Sequence, residues 1–409
     1  MKNNSISTDT DVIIVGAGPV GLALANLLQT QGLRFALFTQ ESEPRPVYES
    51  RAEGVHVRTL ELFERIGVIQ KAMNQGRPLE GVSLYSLKQK LGSFSLKDPR
   101  SAFPGALILE QGKVERILSE RLQENGVSIH WGHKLSALVQ TNGCVEAQFV
   151  DQNGVTIRLQ GKYFVGCDGA HSTSRKLIGV DFIGEPHPGS YALADVDIEW
   201  HQEALDSNVH VFMSPLLLLG KLKEGSWKVA SLVPKGAKLP ESPEEILSIL
   251  QAQIDHHGVL AKLMKARWTS HFRISNRHVS TMRKDRVFLA GDAAHIHSPM
   301  GGQGMNEGIH DAANLAWKLA LVVNGKADDS LLDTYSEERL PLIEKVLKDT
   351  SFMTNAIEIE GPGRWVRDKV VSFATQIQML EPLLREEFSG AHRTIGQTRI
   401  IRESNVSFL

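Results

Sequence analysis

The hydrophobic pattern of the N-terminal part of the chain changes at regular intervals. The apolar, β-branched run at residues 11–15 predicts a buried parallel strand. After a glycine-rich turn, residues 22–28 predict a helix, and Gly32 is the type of residue that ends one. Residues 35–38 form a second short apolar run. This order of strand, turn, helix and strand predicts an α/β fold with a parallel sheet.

Helical and alternating patterns then follow one another along the chain. Helices are predicted at residues 57–66, 111–126, 243–253 and 306–323. Strands are predicted at residues 82–87, 128–131, 134–140, 145–150, 156–159, 163–169, 209–212, 227–233 and 286–290. The dipeptides Asn142-Gly143 and Asn153-Gly154 predict hairpin turns. From Pro341 onward we expect a mostly helical segment and then a polar tail.

These elements predict a cofactor domain and an inserted sheet domain. The first is discontinuous and is expected at residues 1–75, 105–180 and 275–340. The second, at residues 76–104 and 181–274, is expected to be a mainly antiparallel β-sheet, because its strands alternate between polar and apolar positions. Residues 341–409 form the predicted C-terminal helical segment.

Composition narrows the class of protein. Of the 409 residues, 42% are hydrophobic and 22% are charged, as in ordinary globular proteins. The net charge of −2 argues against a nucleic-acid-binding surface. The polar N-terminus lacks the apolar core of a signal peptide, and the apolar run at residues 215–219 is far shorter than the ~18 residues of a membrane span. We therefore expect a cytoplasmic protein with no integral membrane segment.

The two cysteines suggest no disulfide framework. Cys144 and Cys167 both lie in strand-like apolar context, which favours inert core thiols in a reducing compartment. The chain also lacks the C-x-x-C and H-E-x-x-H spacings of metal sites, so no metal is expected.

The turn after the first strand is the strongest chemical signal. Gly16-Ala17-Gly18-Pro19-Val20-Gly21 is a G-x-G-x-x-G sequence between a predicted strand and a predicted helix. Its glycines allow a tight turn, close approach of a pyrophosphate and close helix–strand packing. The helix N-terminus offers free N–H groups and a positive dipole end. The segment therefore predicts dinucleotide binding.

One element of this fingerprint is absent. An acidic residue that holds the adenosine ribose is expected at the end of the second strand, roughly 20 residues further on. That place is occupied by Thr39, followed by Gln40 and Glu41. Either Thr39 or Gln40 binds the ribose as a neutral group, or Glu41 reaches back to it.

Three motifs in this order resemble the single-component FAD-dependent aromatic hydroxylases, the para-hydroxybenzoate hydroxylase family. The first is the glycine turn just described. The second, Gly166 to Arg175, resembles the family's D-G motif through Asp168-Gly169. The third, Gly291-Asp292-Ala293-Ala294-His295 with Pro299-Met300-Gly301-Gly302-Gln303-Gly304-Met305-Asn306, resembles its G-D motif and flavin loop. Within this family, the chain most resembles the phenol hydroxylase-like subgroup. Many members of that subgroup carry a thioredoxin-like C-terminal domain, which is not expected in this chain.

The resemblance implies an FAD-binding Rossmann-like domain and a monooxygenase activity. NAD(P)H would reduce the flavin, oxygen would form a C4a-hydroperoxide, and the hydroxyl group would pass to an aromatic or polycyclic, polyketide-like molecule. A monomer or homodimer is expected. The implied cofactor-binding residues are Gly16, Gly18, Pro19, Val20, Gly21, Gln40, Glu41, Arg51, Gln111, Asp168, Gly169, Gly291, Asp292, Pro299, Gly301, Gly302, Gly304, Met305 and Asn306.

Several of these residues also have a structural interpretation. Asp292 could accept a hydrogen bond from a ribityl hydroxyl or cap its own turn. Asp168 could contact FAD or only stabilise a turn, and Arg175 could be a surface ion pair. Gln111 could face the ribityl chain or cap the helix that it opens. Arg51 is expected to bind the flavin or its phosphates with its fork of donors.

The substrate pocket is expected between the inserted sheet and the flavin. Its apolar candidates are Phe212, Met213, Leu216, Leu218 and Met300. Weak candidates for a group that activates a substrate hydroxyl are Tyr191, His201, His210 and Arg273, and each of them could equally be structural or exposed. His295 and His297, beside the flavin loop, could be fold elements or acid–base groups.

Two other functions are compatible with the same motifs. The scaffold could serve a flavin oxidase or dehydrogenase, or the altered ribose site could mark a ligand-binding module without catalysis. A second G-x-G-x-x-G is absent, which argues against a dedicated nucleotide domain for NAD(P)H and thus against two-Rossmann reductases.

Overall fold

The computed structural model describes residues 10–49, 53–97, 101–103, 105–141, 143–206, 209–233, 239–359, 361–377, 379 and 381–382. Arg51 lies outside these residues, and so does the side chain of Met300, so the predictions for them remain predictions. The C-terminal tail beyond 382 also lies outside them.

The first sheet is built around β1, in which residues 12–15 are apolar and buried. Its strands are β1 (Thr10–Val15), β2 (Phe35–Phe38), β8 (Ile129–His130), β9 (Lys134–Thr141), β10 (Cys144–Val150), β11 (Thr156–Gly166), β17 (Arg283–Lys284) and β18 (Val287–Leu289). The order along the sheet is β17-β18-β11-β1-β2-β8, with the β9–β10 hairpin on β11. The five strands β18, β11, β1, β2 and β8 pair in parallel. Continuous apolar strands suit this arrangement, because a parallel sheet is buried on both faces. Here α1 (Pro19–Thr30) packs on β1 and β2, and Phe149 of the β9–β10 hairpin stacks on Phe38 of β2.

The helices that pack on or beside this sheet come from all parts of the chain. They are α1 (Pro19–Thr30), α2 (Val57–Arg65), α3 (Ile69–Gln75), α4 (Gln111–Glu124), α5 (Thr173–Leu177), α7 (Gln303–Val323) and α8 (Asp333–Ile357). Helix α9 (Pro362–Gln376) instead packs against β6 (Gln89–Ser95), a strand of the second sheet. A small sheet of β3 (Gly54–His56), β4 (Arg77–Leu79) and β7 (Ala106–Ile108) lies beside them. Helix α8 runs across Pro341, so the predicted start of the C-terminal segment falls inside a helix.

The second sheet has eight strands and one parallel pair, β5 with β13. Its strands are β5 (Gly81–Ser86), β6 (Gln89–Ser95), β12 (Phe182–Trp200), β13 (Val209–Met213), β14 (Leu217–Lys221), β15 (Trp227–Leu232), β16 (Ala261–Val279) and β19 (His295–Ile296). Helix α6 (Pro243–His256) packs against one face through Ile246, Leu250 and Ile254. The predicted fold class, a parallel sheet with a mainly antiparallel second sheet and a helical C-terminal part, is confirmed.

One strand boundary differs from the prediction. Residues 156–159 and 163–169 were expected as separate strands, and the structure has a single strand, β11, through Gly161. The first half of β11 pairs antiparallel with β10, and the second half pairs in parallel with β1. A Cβ at Gly161 would lie 2.9 Å from Ile13 Cγ1, so glycine lets the two strands approach.

No helix within the described ranges is both long enough and apolar enough to cross a membrane. The same part of the chain holds no group of three or more histidine, cysteine or acidic side chains that could bind a metal ion.

Candidate functional site

All three motifs lie at one edge of the parallel sheet. Strands β1, β11 and β18 are parallel neighbours, so their carboxyl ends meet, and each is followed directly by one motif. Hydrogen bonds join the loops there: Cys167 N donates to Val15 O (2.7 Å) and Ala290 N donates to Gly166 O (3.0 Å). The carboxyl end of a parallel sheet is the usual place for a ligand in open α/β folds.

The first loop needs glycine at two positions for protein packing. Gly16 has φ +106°, and a Cβ there would lie 2.2 Å from Cys167 O. A Cβ at Gly21 would lie 1.9 Å from Gly16 O. Gly18 differs from both, because its Cβ would meet no protein atom within 4 Å. Open space above Gly18 is the clearance that a bound diphosphate needs.

The positive end of the α1 dipole is not neutralised by a capping or acidic side chain of the helix's first turn. Gly18 is the N-cap, no side chain caps the helix, and the first turn holds Pro19 and no acidic residue. Backbone N–H groups and the positive end of the helix dipole therefore face the cavity that Gly18, Pro19 and Val20 line. This arrangement fits a diphosphate.

The end of β2 brings an acidic side chain back toward the expected ribose position. Thr39 is buried, and its hydroxyl donates a hydrogen bond to the carboxylate of Glu41. Thr39, Gln40 and Glu41 all line the same cavity. Of the three alternatives for holding a ribose, this geometry favours Glu41.

We expect Glu41→Ala to weaken FAD binding about tenfold or more, because a hydrogen bond to a charged group contributes about 1.5–3 kcal/mol. Fluorescence titration of the apoprotein with FAD measures the effect. Gln40→Ala is the matched control and should change the dissociation constant little. The opposite ranking of the two variants would assign the ribose to Gln40.

The carboxylate of Asp168 serves its own turn. Its oxygens accept hydrogen bonds from Ser172 Oγ (2.5 Å), Ser174 N (2.9 Å) and Ser174 Oγ (3.0 Å). The structural interpretation of Asp168 therefore accounts for its side chain, although Asp168 and Gly169 both line the cavity. Arg175 is buried and is no surface ion pair: it donates to Ala293 O (2.7 Å) and to Ala170 O (2.8 Å). Arg175 thus ties the second motif to the third.

The third motif presents Asp292 to the cavity. Asp292 is exposed and lines the cavity, so its carboxylate is placed to meet a ligand. Gly291 has φ +59°, and its Cβ would lie 2.8 Å from Val20 Cγ2. A Cβ at Gly308 would lie 2.4 Å from the same atom, so Val20 packs into a notch between the two glycines. The side chain of Val20 therefore locks α1 against α7.

The glycine loop before α7 is held in a left-handed conformation. Gly301 has φ +75° and Gly302 has φ +64°, a region that favours glycine. Asn306 Nδ2 donates to Gly302 O and to Gly54 O, both at 2.8 Å, and Oδ1 accepts from His56 N (2.9 Å). Asn306 is fully buried, so its side chain positions the loop. Its role as a cofactor contact stays a prediction.

The flavin loop itself opens to the cavity. Pro299, Gly301, Gly302, Gly304 and Met305 all line it. No acidic residue and no side-chain cap occupy the first turn of α7, so its positive dipole end remains available near Gly302. The helix begins at Gln303, three residues before the predicted start.

Below this loop lies a buried ionic network that sequence analysis did not find. Arg339 donates to Asp311 (2.6 Å) and to Glu307 (2.7 Å), and His295 Nε2 lies 2.7 Å from Asp311. Burial acts to raise the pKa of Asp311, but the charges of Arg339 and His295 outweigh it and lower the pKa to about 2. His295 thus supports the fold. His297 lines the cavity instead.

The cavity continues from the flavin loop to the second sheet and has a volume of about 1560 Å³. Apolar side chains form most of its far wall: Leu79, Val82, Leu84, Phe94, Ile108, Leu193, Val209, Val211, Met213, Leu218, Ala230 and Phe272. Of the predicted pocket residues, Met213 and Leu218 line it. Gln111 lines it near the cofactor side and donates to Glu115 Oε1 (2.8 Å).

One predicted pocket residue and one catalytic candidate are placed differently. Phe212 and His210 lie on the face of β13 opposite to Val211 and Met213, because side chains alternate along a strand. His210 is buried there, 3.2 Å from Tyr85 Oη and 3.1 Å from Asp206 Oδ1. Burial lowers the pKa of His210. The predictions for Phe212 and His210 were wrong, because these side chains lie on the face of β13 that points away from the cavity.

The remaining candidates divide in the same way. Leu216 is fully buried in the core beside the cavity and does not line it. His201 is exposed and does not line the cavity. Tyr191 and Arg273 do line the cavity. Two charged residues that sequence analysis did not single out, Glu53 and Lys228, line it as well.

Matches to known proteins agree with this geometry. A family described as an FAD binding domain matches residues 9–350. Rifampicin monooxygenase of Streptomyces venezuelae is 33% identical over 396 residues, which cover 91% of this chain and 80% of that protein. Pentachlorophenol 4-monooxygenase of Sphingobium chlorophenolicum is 32% identical, with 89% of this chain and 68% of that protein covered.

Solved structures show the same fold. Anhydrotetracycline hydroxylase of Streptomyces rimosus superposes with a TM-score of 0.78 at 30% identity, covering 95% of this chain and 77% of the other. The p-nitrophenol 4-monooxygenase of Pseudomonas putida has a TM-score of 0.84 at 23% identity, covering 94% of this chain and 99% of the other. The second likeness concerns the fold alone.

Proposed function

Since this chain belongs to the FAD binding domain family and is an FAD-dependent monooxygenase, we propose that it uses NAD(P)H and O₂ to hydroxylate an aromatic or polycyclic small molecule. One observation carries the proposal. The first glycine loop, the flavin loop and the apolar wall of the second sheet line one continuous cavity. A cofactor and an apolar substrate can therefore lie side by side in it.

The residues present fit FAD. The N-terminus of α1 beside Gly18 would hold the diphosphate, Glu41 the adenosine ribose and Asp292 a ribityl hydroxyl. The loop from Pro299 to Met305 would contact the ring, and the dipole of α7 would stabilise negative charge there. When bound, FAD supplies electron transfer from NAD(P)H and activation of oxygen.

The second sheet would hold the substrate. Its wall is formed by Val211, Met213, Leu218, Ala230 and Phe272 among others, and it keeps water from the space beside the flavin loop. The relatives' names include rifampicin, anhydrotetracycline and pentachlorophenol, which are aromatic compounds of one or several rings. We propose the same substrate class here and two functional units, a cofactor domain and a substrate domain, as set out from the sequence.

The test is oxygenation by the purified holoprotein. A panel of phenols and polycyclic hydroxyarenes is offered with NADH or NADPH under air, and nucleotide consumption and product mass are recorded. We expect one substrate class to stimulate consumption and to gain one oxygen atom. Consumption that yields only hydrogen peroxide for every compound would indicate an oxidase. Protein without bound flavin would indicate a binding module.

A further inference from the structure

A buried cluster of charged side chains lies in the wall of the substrate part of the cavity. Lys228 Nζ lies 2.7 Å from Glu53 Oε1 and also forms an ion pair with Asp195. Glu53 and Lys228 line the cavity, and Asp195 lies behind them. The side chains of Lys228, Asp195 and Glu53 are 11%, 4% and 15% exposed. We call these three residues the wall triad.

Strand pairing fixes the position of the wall triad. Asp195 on β12 is directly opposite Lys228 on β15, and Trp268 on β16 is opposite Asp195 from the other side. The Lys228 ammonium lies 4.7 Å from the centre of the Trp268 ring. Because three neighbouring strands hold the lysine, its ammonium cannot swing out of the wall without losing all of these contacts.

Glu53 connects the wall triad to the flavin loop. It directly precedes Gly54, whose carbonyl accepts a hydrogen bond from Asn306, and Asn306 also binds the carbonyl of Gly302. Gly54 Cα would lie 3.8 Å from a Cβ on Gly302. A substrate that touches Glu53 is therefore beside the loop where the flavin ring would lie.

The charges of the wall triad do not balance. The Lys228 ammonium group faces two carboxylates, those of Glu53 and Asp195. A third carboxylate, that of Glu110, lies nearby and is 3.0 Å from Lys113 Nζ. Burial raises the pKa of Glu53 to about 7; Lys228 opposes this shift, and the negative charges of Asp195 and Glu110 add to it. A carboxyl group of this kind can take up a proton near neutral pH, and an isolated buried carboxylate is disfavoured in such a wall.

We propose that the wall triad binds a hydroxyl group of the aromatic substrate and ionises it. The substrate O–H bond breaks, the proton passes to the Glu53 carboxylate, and the resulting phenolate lies against the Lys228 ammonium. Total charge is conserved, because Glu53 loses the negative charge that the phenolate gains. Asp195 is a positioning residue that holds Lys228. This inference rests on the proposed function and names the substrate class more narrowly, as hydroxyarenes.

Ionisation of a bound hydroxyarene can be observed without turnover. 2-Naphthol and the tricyclic 9-phenanthrol change their absorption spectra when they ionise, and their hydroxyl groups ionise well above the pKa of Glu53, so each serves as a probe in difference spectra against the FAD-loaded enzyme without NAD(P)H. At a pH above the pKa of Glu53 but below that of the free probe, the wild-type enzyme should bind at least one probe as its phenolate. It should do so with little proton release to a weakly buffered solution, because Glu53 takes the proton.

Two variants separate the roles of the wall triad. Lys228→Met should lose the phenolate band, shifting the pH of half-ionisation of the bound probe upward by a unit or more, which is about tenfold. Glu53→Gln should release a proton to solution when the probe binds as phenolate. Lys71→Met is the matched control, a lysine that faces Glu120 and Glu124 outside the cavity wall, and should behave as wild type. Lys228→Met/Asp195→Asn removes both charges together in case the single variant does not fold.

The proposal is overturned if neither probe binds wild type as a phenolate, or if Lys228→Met and Lys71→Met give the same spectra. The proposed function is tested separately by oxygen gain in the product. A wild-type enzyme that hydroxylates substrates but binds both probes as neutral phenols would refute only the wall triad. An enzyme that ionises the probes but never oxygenates would refute only the monooxygenase assignment.

Discussion

Gly18→Ala is expected to leave the fold intact and to weaken FAD binding about ten- to ten-thousandfold. A Cβ at this position meets no protein atom within 4 Å, and Gly18 has φ −76°, which suits alanine. The methyl group would instead occupy the space where the diphosphate approaches the backbone. Loss of one or two hydrogen bonds to a charged group, at about 1.5–3 kcal/mol each, gives this range.

The measurement is the dissociation constant of FAD together with the unfolding midpoint of the apoprotein. Gly21→Ala provides the contrast, because its Cβ would lie 1.9 Å from the carbonyl oxygen of Gly16. Gly21→Ala should destabilise the apoprotein by about 1–3 kcal/mol or more as well as impair FAD binding. If Gly18→Ala bound FAD as tightly as wild type, the diphosphate could not lie at the first loop.

Arg339→Met is expected to lower the free energy of unfolding by about 3–5 kcal/mol. The substitution leaves the carboxylates of Asp311 and Glu307 fully buried without the guanidinium that binds both. The control is Arg58→Met, which breaks an exposed ion pair with Glu61 on α2 and should cost about 0–1 kcal/mol. Denaturant unfolding measures both, and equal effects would contradict the importance of burial.

The same buried network makes the free energy of unfolding depend on pH in the acidic range. The pKa of Asp311 is lowered to about 2 from an ordinary value of 3.8, so its contribution is complete above about pH 4 and is lost toward pH 2. Burial, reinforced by Arg339, lowers the pKa of His310 to about 3 from 6.5. Folding holds His310 neutral, so stability also falls as the pH drops from about 6.5 toward 3. Denaturant midpoints across pH 2–7 should show both losses.

Local patterns predicted the parts of the site that lie on consecutive residues. The turn from Gly16 to Gly21, the Asp168 motif and the loop from Pro299 to Gly304 each follow a strand or precede a helix, and each lines the cavity. Their convergence follows from parallel strand pairing, which places all carboxyl ends at one edge. For these segments the sequence contains the necessary information.

The missed and misplaced residues depend on long-range geometry. The alternating pattern of β13 is apolar on both faces, so it did not tell whether His210 and Phe212 or Val211 and Met213 face the cavity. Glu53 precedes β3 whereas its partner Lys228 lies on β15, and Arg339 meets Asp311 from a different helix. Such pairs have no spacing rule, because only tertiary packing brings them together.

The pairing of β16 with β19 limits how the enzyme can admit its substrate. In this pairing, Arg277 is opposite Ile296 and His278 is opposite His295. Val279 N also donates a hydrogen bond to Ala294 O (2.8 Å). The substrate sheet is therefore hydrogen-bonded directly to the third motif. A hinge motion that separates the two sheets would break these hydrogen bonds. We therefore expect the substrate to enter through a local opening, while the pairing of β16 with β19 stays intact.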